Sequence, residues 1–298
     1  MFFLSGITGH VGGAAARRLL DEGHPVRALV RDPRRAAVWS RRGVDVREGD
    51  LGDAAAVAGA LEGVDGAFLM LPPVLAPAPG FPEARALIAG FREALRKTPP
   101  PRLVVLSSIG SEREKGLGNI TSTHLLEEAL DDAPFPTAFV RAGSFLENYA
   151  FGLDAAAATG WFDTFLTPAG RPVPMVATAD IGTEVARLLT EDWNGRRIIE
   201  LGSPISPDDL ARAMSDVLGR PVRARSIPRE RWTAALAAQG LPPGATGPFE
   251  EMSDGFNSGW IDFGVPGAEP VAGTVTPAAF FEQAMRARDD HRPPAGAS

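Results

Sequence analysis

Gly6-Ile7-Thr8-Gly9-His10-Val11-Gly12 lies between an apolar start, residues 1–4, and a segment with apolar residues at helical spacing, residues 11–20. A second apolar run, residues 26–30, follows. Strand, glycine turn, helix and second strand fall within about thirty residues, the context that a dinucleotide-binding turn requires. Residues without a Cβ let the backbone approach a pyrophosphate, whose charge the helix N-terminus stabilises. We therefore predict a dinucleotide site on Gly6, Thr8, Gly9, His10, Val11 and Gly12.

Strand and helix patterns alternate from this turn to residue 143. Further strands are predicted at 44–48, 66–71, 102–107 and 138–141, with helices ending at residue 61 and spanning 82–97 and 119–130. Such a rhythm with short connections predicts an α/β fold, a Rossmann-type doubly wound parallel sheet. Ligands of this fold bind at the carboxyl edge of the strands. Residues 1–143 are predicted to form the dinucleotide-binding domain.

The rhythm breaks after residue 143. Aromatic residues become irregular and short strands recur, so residues 144–288 are predicted to form a smaller C-terminal α/β substrate region interleaved with the sheet edge. One helix begins near Asp180, and another has Ser206 at its head and Gly219 beyond its end. The Gly- and Pro-rich segment 240–273 reads as a loop or a flap that could cover a substrate, and a helix follows at 276–287. Residues 289–298 are predicted to be a disordered tail.

Composition excludes several classes of function. The 298 residues carry a formal net charge of −7, which argues against a nucleic-acid partner, since such proteins need a basic surface. The chain has no cysteine and four scattered histidines, so we expect no disulfide, no metal and no cysteine nucleophile. Neither a signal peptide nor a membrane-spanning run is evident, and a cytoplasmic protein is expected.

Several segments together resemble one family. They are the glycine pattern, Val30-Arg31-Asp32, Gly49-Asp50-Leu51, Leu69-Met70-Leu71-Pro72-Pro73, Leu106-Ser107-Ser108, His124-x-x-x-Glu128 and Arg141-Ala142-Gly143-Ser144-Phe145-Leu146-Glu147-Asn148. The chain resembles, over about residues 1–287, the NmrA-like branch of atypical short-chain dehydrogenases/reductases. Within that branch it looks most similar to bacterial NADPH-dependent quinone and azo-dye reductases. The branch also contains proteins that bind NADP without known catalysis and act as redox-responsive regulators.

The end of the second strand bears on the choice of cofactor. Arg31 could grip the 2′-phosphate of NADP, whereas an acidic residue there would bind the ribose hydroxyls of NAD. Asp32 directly follows, so one of the two faces the ribose, and the neighbouring Arg34 and Arg35 favour NADP(H) over NAD(H). Arg34 and Arg35 could equally form a solvated helix face. Further contacts are predicted for Arg35, Asp50, Leu51, Leu71, Pro72, Pro73, Ser107, His124, Gly143 and Phe145. A plain turn role for Asp50, and strand termination by the two prolines, stay open.

The candidate catalytic residues differ from those of the wider short-chain dehydrogenase/reductase superfamily. Its alcohol and sugar enzymes use a Tyr-x-x-x-Lys pair, but this chain has one tyrosine, Tyr149, and only Lys97 and Lys115. His124 occupies the position of the lysine, and Ile120 precedes it by four residues. We predict catalytic roles for His124, Ser107 and Tyr149, with Glu128 able to hydrogen-bond His124 or merely to solvate the helix. Ser108, Asn148, Phe151 and Trp161 are predicted to line the substrate pocket. Core packing, a helix surface and strand ends are the alternatives for these residues.

Three functions remain open. The first is an NAD(P)H-dependent oxidoreductase that passes hydride to a quinone-like or other electron-poor small molecule. A non-catalytic NADP(H) sensor is the second, favoured by the absent Tyr-x-x-x-Lys pair. A tailoring reductase or isomerase of a biosynthetic pathway is the third. The expected partner is a small-molecule acceptor, with a homodimer or a protein partner possible.

Overall fold

A computed structural model of the chain describes residues 1–242 and 244–291. The strands are β1 (Phe2–Leu4), β2 (Val26–Val30), β3 (Asp45–Glu48), β4 (Gly66–Leu69), β5 (Leu103–Ser108), β6 (Thr137–Ala142), β7 (Ser144–Phe145), β8 (Trp161–Thr164), β9 (Val173–Val176), β10 (Arg196–Leu201), β11 (Ser203–Ile205), β12 (Arg223–Ser226) and β13 (Glu269–Val271). The helices are α1 (His10–Asp21), α2 (Ala37–Arg41), α3 (Ala54–Leu61), α4 (Pro82–Lys97), α5 (Thr121–Ala129), α6 (Gly152–Thr159), α7 (Thr178–Thr190), α8 (Pro207–Leu218), α9 (Trp232–Ala238), α10 (Gly247–Ser258) and α11 (Pro277–His291). Turns of 3-10 helix lie at Pro33–Ala36, Gly118–Ile120, Leu146–Tyr149 and Arg229–Arg231.

The main sheet has eight strands in the order β13-β10-β6-β5-β4-β1-β2-β3. Every pairing in it is parallel. The chain builds outward from β1 in one direction and from β4 in the other, so the strand order reverses between these two strands. This arrangement confirms the predicted Rossmann-type α/β fold, in which ligands bind in a crevice at the carboxyl ends of the strands where the order reverses, here β1 and β4. β10 and β13 come from the C-terminal region and extend the sheet beyond β6.

Helices cover both faces of the sheet and bury its central strands, β2, β1, β4, β5 and β6. β5 and β6 are mainly apolar and are buried over almost their whole length, as parallel strands between two helical layers require. One core cluster joins the sheet to α1, α2 and α7. The other joins it to α3, α4 and α5. Both layers hold the carboxyl edge of the sheet in a fixed shape.

α1 and α7 lie unusually close, at a contact that only glycine permits. A Cβ on Gly182 would lie 2.6 Å from the Ala15 nitrogen and 2.7 Å from the Ala14 carbonyl carbon. Ile181 and Val185 of α7 enter the same core as α1 and β1. A helix from the C-terminal region therefore backs the helix of the glycine turn.

The C-terminal region has a core of its own. The small sheets β11-β9-β7 and β12-β8 and the helices α6, α8 and α11 bury residues such as Leu153, Met175 and Phe281. α8 begins with the predicted cap, because Ser206 and Asp209 exchange hydrogen bonds in a capping box. It ends at Gly219, whose φ is +63°.

Two predictions for the C-terminal region need correction. The segment 240–273 is not simply a loop, since it contains α10 and β13. α10 packs so tightly on the turn Gly118–Ile120 that a Cβ on Gly118 would lie 2.7 Å from the Met252 nitrogen. α11 also runs to His291, past the predicted end and into the predicted tail. Residues 292–298 of that tail lie outside the described residues.

Candidate cofactor and substrate site

The glycine turn between β1 and α1 is closed by direct backbone contact. Gly6 has a φ of +68°, and its carbonyl accepts the Gly9 N–H at 2.9 Å. A Cβ on Gly12 would overlap the Gly6 carbonyl oxygen and lie 2.7 Å from the Ser5 carbonyl oxygen. Glycine is therefore required at position 12 for α1 to approach the end of β1.

The first turn of α1 presents backbone N–H groups at this crevice. Gly9 precedes the helix and contributes no side-chain cap. Thr8 and His10 are exposed, while the Val11 side chain is buried in the core. Val11 can thus offer a ligand only its backbone. Uncapped N–H groups and the positive end of a helix together favour an anion such as a pyrophosphate.

Met70, just past β4, lies directly against the glycine turn. Its sulfur lies 2.8 Å from the point that a Cβ on Gly6 would occupy. The half-buried Leu71 and the exposed Pro72 and Pro73 follow it. Their position at the end of β4 puts them at the edge where the strand order reverses.

Arg31 and Asp32, the two charged residues directly after β2, differ in their contacts. Asp32 accepts the Arg34 backbone N–H at 3.0 Å and the Arg34 Nε and Nη2 at 2.9 and 3.0 Å. Hydrogen bonds from Arg34, aided by the charge of Arg35, hold the pKa of the Asp32 carboxyl below its ordinary value. Arg31 is exposed and has no ion pair within residues 1–242 and 244–291. The carboxylate next to Arg31 is therefore already engaged, and the Arg31 guanidinium is left for a ligand.

Asp50 forms a turn after β3. Its Oδ1 accepts the Gly52 N–H at 2.7 Å, and its carbonyl accepts the Asp53 N–H at 3.0 Å. Leu51 is half-buried against the cluster beneath α3 and α4. Of the two roles considered for Asp50, the structure shows the turn, and a contact of Asp50 or Leu51 with a cofactor stays a prediction.

The two serines that end β5 point to opposite faces of the sheet. Ser107 is buried and donates to a carboxylate oxygen of Glu127 on α5. Ser108 is half-buried and donates to the Ile109 carbonyl at 3.2 Å. The Ser107 hydroxyl is thus engaged inside the protein, while Ser108 lies nearer the solvent side of the edge.

His124 lies on α5 with one ring nitrogen engaged. Its Nδ1 is 2.9 Å from the Ser111 carbonyl oxygen. A carbonyl only accepts, so Nδ1 carries the hydrogen, and in the neutral ring Nε2 is the acceptor. Glu128, proposed as a partner of His124, is exposed. The backbone of Ser111 takes the orienting role instead.

Near His124 lies a buried group of charged side chains that was not predicted from the sequence. Arg141 on β6 binds Glu127 through Nε at 2.9 Å and Nη2 at 2.6 Å, and its Nη1 binds Glu112 at 3.1 Å. Arg141 is 4% exposed and Glu127 is 4% exposed. An arginine inside an otherwise apolar strand needs a buried carboxylate partner. The position of Arg141 in the sequence could therefore have indicated this group of charges.

Gly143 and Phe145 follow β6 where the chain crosses β9. A Cβ on Gly143 would lie 2.6 Å from the Pro174 carbonyl oxygen, and the Gly143 N–H donates to Leu201 at 2.9 Å. Phe145 is half-buried in β7 and packs against the core beneath α1 and α7. Packing alone accounts for both residues, and their contacts with a cofactor stay predictions.

The predicted pocket residues Asn148, Phe151 and Trp161 come from two elements of the C-terminal region. Asn148 is exposed at the end of the turn Leu146–Tyr149, and Phe151 follows with 89% of its surface exposed. Trp161 lies on the separate β12-β8 sheet, where the Arg225 guanidinium stands 5.3 Å from the ring centroid. The structure keeps Asn148 and Phe151 on one short segment and gives Trp161 a partner of its own.

Tyr149 joins the turn Leu146–Tyr149 to the C-terminal core. Its hydroxyl is 3.0 Å from the Ser144 Oγ, and its ring meets Phe162 edge to face at 6.2 Å. Burial raises the pKa of Tyr149 to about 12, and the Ser144 hydrogen bond opposes the rise. The phenol is therefore protonated at neutral pH and able to donate a hydrogen bond.

Replacement of Tyr149 by phenylalanine is expected to reduce the alkaline loss of stability. The pKa is higher in the folded state, so this group's contribution is complete below the unfolded value near 10 and is lost as pH rises toward about 12. Thermal unfolding of both proteins between about pH 8 and about pH 11 measures the effect. At the lower pH the variant should lose about 1 kcal/mol with its hydrogen bond. Equal alkaline slopes for the two proteins would contradict the raised pKa.

Two classes of site have no counterpart in the part of the chain that the structure describes. No group of three or more His, Cys, Asp or Glu side chains there is placed to hold a metal ion. Among the described residues, no helix has the length and apolar character needed to cross a membrane.

Comparison with known proteins agrees with this geometry. The chain matches the NAD(P)H-binding family over residues 6–148 and the NmrA-like family over residues 104–261. The first match begins at the glycine turn, and the second includes most of β5 and all of α5 and α10.

Two curated relatives are reductases of small molecules. The (4-alkanoyl-5-oxo-2,5-dihydrofuran-3-yl)methyl phosphate reductase of Streptomyces griseus is 32% identical over 82% of this chain and 83% of its own length. Quinone oxidoreductase 2 of Escherichia coli is 26% identical over 88% of this chain and 90% of its own. An E. coli NADPH-dependent quinone oxidoreductase solved with NADPH superposes with a TM-score of 0.79 at 23% identity, covering 96% of this chain and 100% of that one.

Proposed function

This chain belongs to the NmrA-like family, and on that premise we propose that it is an NADPH-dependent oxidoreductase. Its acceptor is a quinone-like or other electron-poor small molecule. The observation that carries the proposal lies at the carboxyl ends of β1 and its neighbour β2: the first turn of α1 has no side-chain cap, and Arg31, directly after β2, has no ion-pair partner among the described residues. The relatives that reduce a quinone and a furanone phosphate support the choice of reaction.

The residues of the crevice fit a dinucleotide. The approach of α1 at Gly12, which a Cβ would block, leaves room for a pyrophosphate at Thr8, Gly9 and His10. Arg31 suits a 2′-phosphate, and Asp32 does not oppose it because Arg34 already neutralises that carboxylate. We therefore assign NADP(H) in preference to NAD(H).

Reduction of a quinone by NADPH requires few catalytic groups from the protein. Bound NADPH would supply a hydride, and a quinone that takes this hydride and one proton becomes a hydroquinone. Tyr149 is no substitute for the Tyr-x-x-x-Lys pair, because burial raises the pKa of its phenol to about 12, where the lysine of such a pair would lower it, and the hydroxyl is therefore a weak proton donor. His124 has Nδ1 held by Ser111, so Nε2 is the atom that can accept a hydrogen bond or, when protonated, give a proton. We propose that His124 is the polar side chain that contacts the reactants or gives the proton. Ser107 supports it indirectly, through its hydrogen bond to Glu127 on the same helix.

The acceptor side is proposed on the segment after β6. Ser108 ends β5, while Asn148 and Phe151 lie in and just after the turn Leu146–Tyr149, which follows β6 and β7 from the same edge of the sheet. Residues 144–288 would then supply the substrate region, and residues 1–143 the cofactor site. Trp161, paired with Arg225 on another sheet, is left out of this pocket.

The test is NADPH oxidation with a panel of small quinones, an azo dye and an acyl-furanone phosphate. We expect turnover of at least one quinone above the protein-free rate, with NADPH used better than NADH. Tight NADPH binding without oxidation by any acceptor would favour the sensor, which the missing Tyr-x-x-x-Lys pair supports. Turnover of the furanone phosphate alone would favour a biosynthetic reductase.

A further inference from the structure

Arg141 joins a polar row inside the main sheet at its carboxyl edge. In register, Ser107 of β5 pairs with Arg141 of β6, and Arg141 pairs with Glu200 of β10. Directly paired residues of a parallel sheet point to the same face. All three are buried, with Glu200 accepting the backbone N–H groups of Gly264 and Val265. A charged row in this position needs an explanation beyond packing.

One guanidinium holds two separate segments. The fork of Arg141 binds both oxygens of Glu127 on α5, and its remaining nitrogen binds Glu112 in the β5–α5 connection. Ser107 adds a second donor to Glu127. The bidentate geometry fixes the direction of the Glu127 carboxylate as well as its position.

Both segments lead to His124. Glu127 lies three residues after His124 on the same helix, and Glu112 directly follows Ser111, whose carbonyl accepts the His124 Nδ1–H. The Ser111 hydroxyl also lies 2.8 Å from the Thr123 hydroxyl. Arg141 therefore bridges the helix that carries the imidazole and the turn whose carbonyl accepts the imidazole N–H.

We propose that Arg141 and Glu127 are positioning residues that hold His124 in its Nδ1–H tautomer with Nε2 directed to the reaction. The proposal rests on the proposed function, in which His124 is the polar group. Stability alone is a weak reason for a buried ion pair, because desolvation of both charges offsets much of their attraction. A fixed arrangement of neighbouring groups is the better-supported use of such a pair.

Arg27 offers a matched control. It is also a buried arginine of the main sheet, paired with Asp45 at 2.6 Å, but it lies near the amino end of β2. Arg141→Met and Arg27→Met should both lower the melting temperature. Only Arg141→Met should lower kcat, by about tenfold, because only this change displaces the His124 imidazole. NADPH affinity, measured by fluorescence titration, should change less than about threefold in either variant.

Two further readouts separate positioning from general stability. In a His124→Gln background, Arg141→Met should have no additional effect on kcat, because both changes act through the same group. The ¹⁵N spectrum of the His124 ring, identified by its loss in His124→Gln, should show the Nδ1–H tautomer in the unmodified chain and a mixture in Arg141→Met. Glu112→Gln, which removes one charged bond, gives a milder form of the same change if Arg141→Met does not fold.

The results that overturn the proposal are specific. They are an unchanged tautomer in Arg141→Met and in Glu112→Gln, or effects of Arg141→Met and His124→Gln on kcat that simply multiply. The spectroscopic measurement needs no turnover. A chain that binds NADPH but reduces nothing would contradict the proposed function while leaving the tautomer result to decide this one.

Discussion

Gly12→Val is expected to remove NADPH binding, with at least a hundredfold loss of affinity, since no compact turn can hold the pyrophosphate after this change. Even the first carbon of the new side chain would overlap the Gly6 carbonyl oxygen and lie 2.7 Å from that of Ser5. These atoms belong to the backbone and cannot rotate away. α1 must then shift from β1, which misplaces the N–H groups of its first turn. Fluorescence titration with NADPH and thermal unfolding measure the two consequences.

Gly59→Ala is the control for this change. Gly59 lies in α3, and a Cβ there meets nothing within 4 Å. Alanine should stabilise the helix by up to about 1 kcal/mol and leave NADPH affinity unchanged. If Gly12→Val bound NADPH as well as Gly59→Ala does, the glycine turn could not be the pyrophosphate site.

Arg31→Glu is expected to reverse the preference between the two nicotinamide cofactors. The change replaces a cation suited to a 2′-phosphate with an anion that repels it and can accept from the ribose hydroxyls of NADH. We expect kcat/KM for NADPH to fall about a hundredfold, a loss of about 2.7 kcal/mol, while that for NADH rises or holds. Steady-state kinetics with each cofactor at constant ionic strength measures the ratio, because exposed charges are screened by salt.

Arg41→Ala provides the comparison, since Arg41 is an exposed cation of the same basic stretch at the end of α2. It should change the ratio less than about twofold, because an exposed charge away from the ligand is screened. Similar effects of Arg31→Glu and Arg41→Ala would mean that general surface charge, and not a contact of Arg31, sets the cofactor preference.

The sheet could be predicted because local patterns determine it. Apart from β3, whose sequence is Asp-Val-Arg-Glu, the strands from β1 to β6 are short and mainly apolar, with glycine, proline or polar residues near their ends, and those patterns do not depend on distant partners. α10 was missed for the opposite reason. Its glycines and Pro248 suggest a loop, and its helical form depends on packing against Gly118–Ile120, which the sequence alone does not bring near.

The site was predictable only in part, and Glu127 shows why. Glu127 and Glu128 are adjacent, but one is buried on Arg141 and the other faces solvent. Which of them points inward depends on how α5 is rotated over β5 and β6, and that is a tertiary property. The turn at Gly6–Gly12 needs no such information, because its partners are neighbours in sequence. Phe151 is a second example. Its aromatic side chain suggests a pocket residue, but the exposure of that side chain depends on the rest of the fold.

The close contact of α1 with α7 has a consequence for how this protein can be divided. Residues 1–143 contain the whole glycine turn, yet Gly182 and Ile181 fill the surface of α1 from the other region, and β10 and β13 complete the sheet. A fragment ending at residue 143 would leave Ala14, Ala15 and the edge of β6 open to water. Residues 1–143, to which we assign the cofactor site, therefore do not bury their own core without α7, and recombination between relatives must carry α7 together with α1.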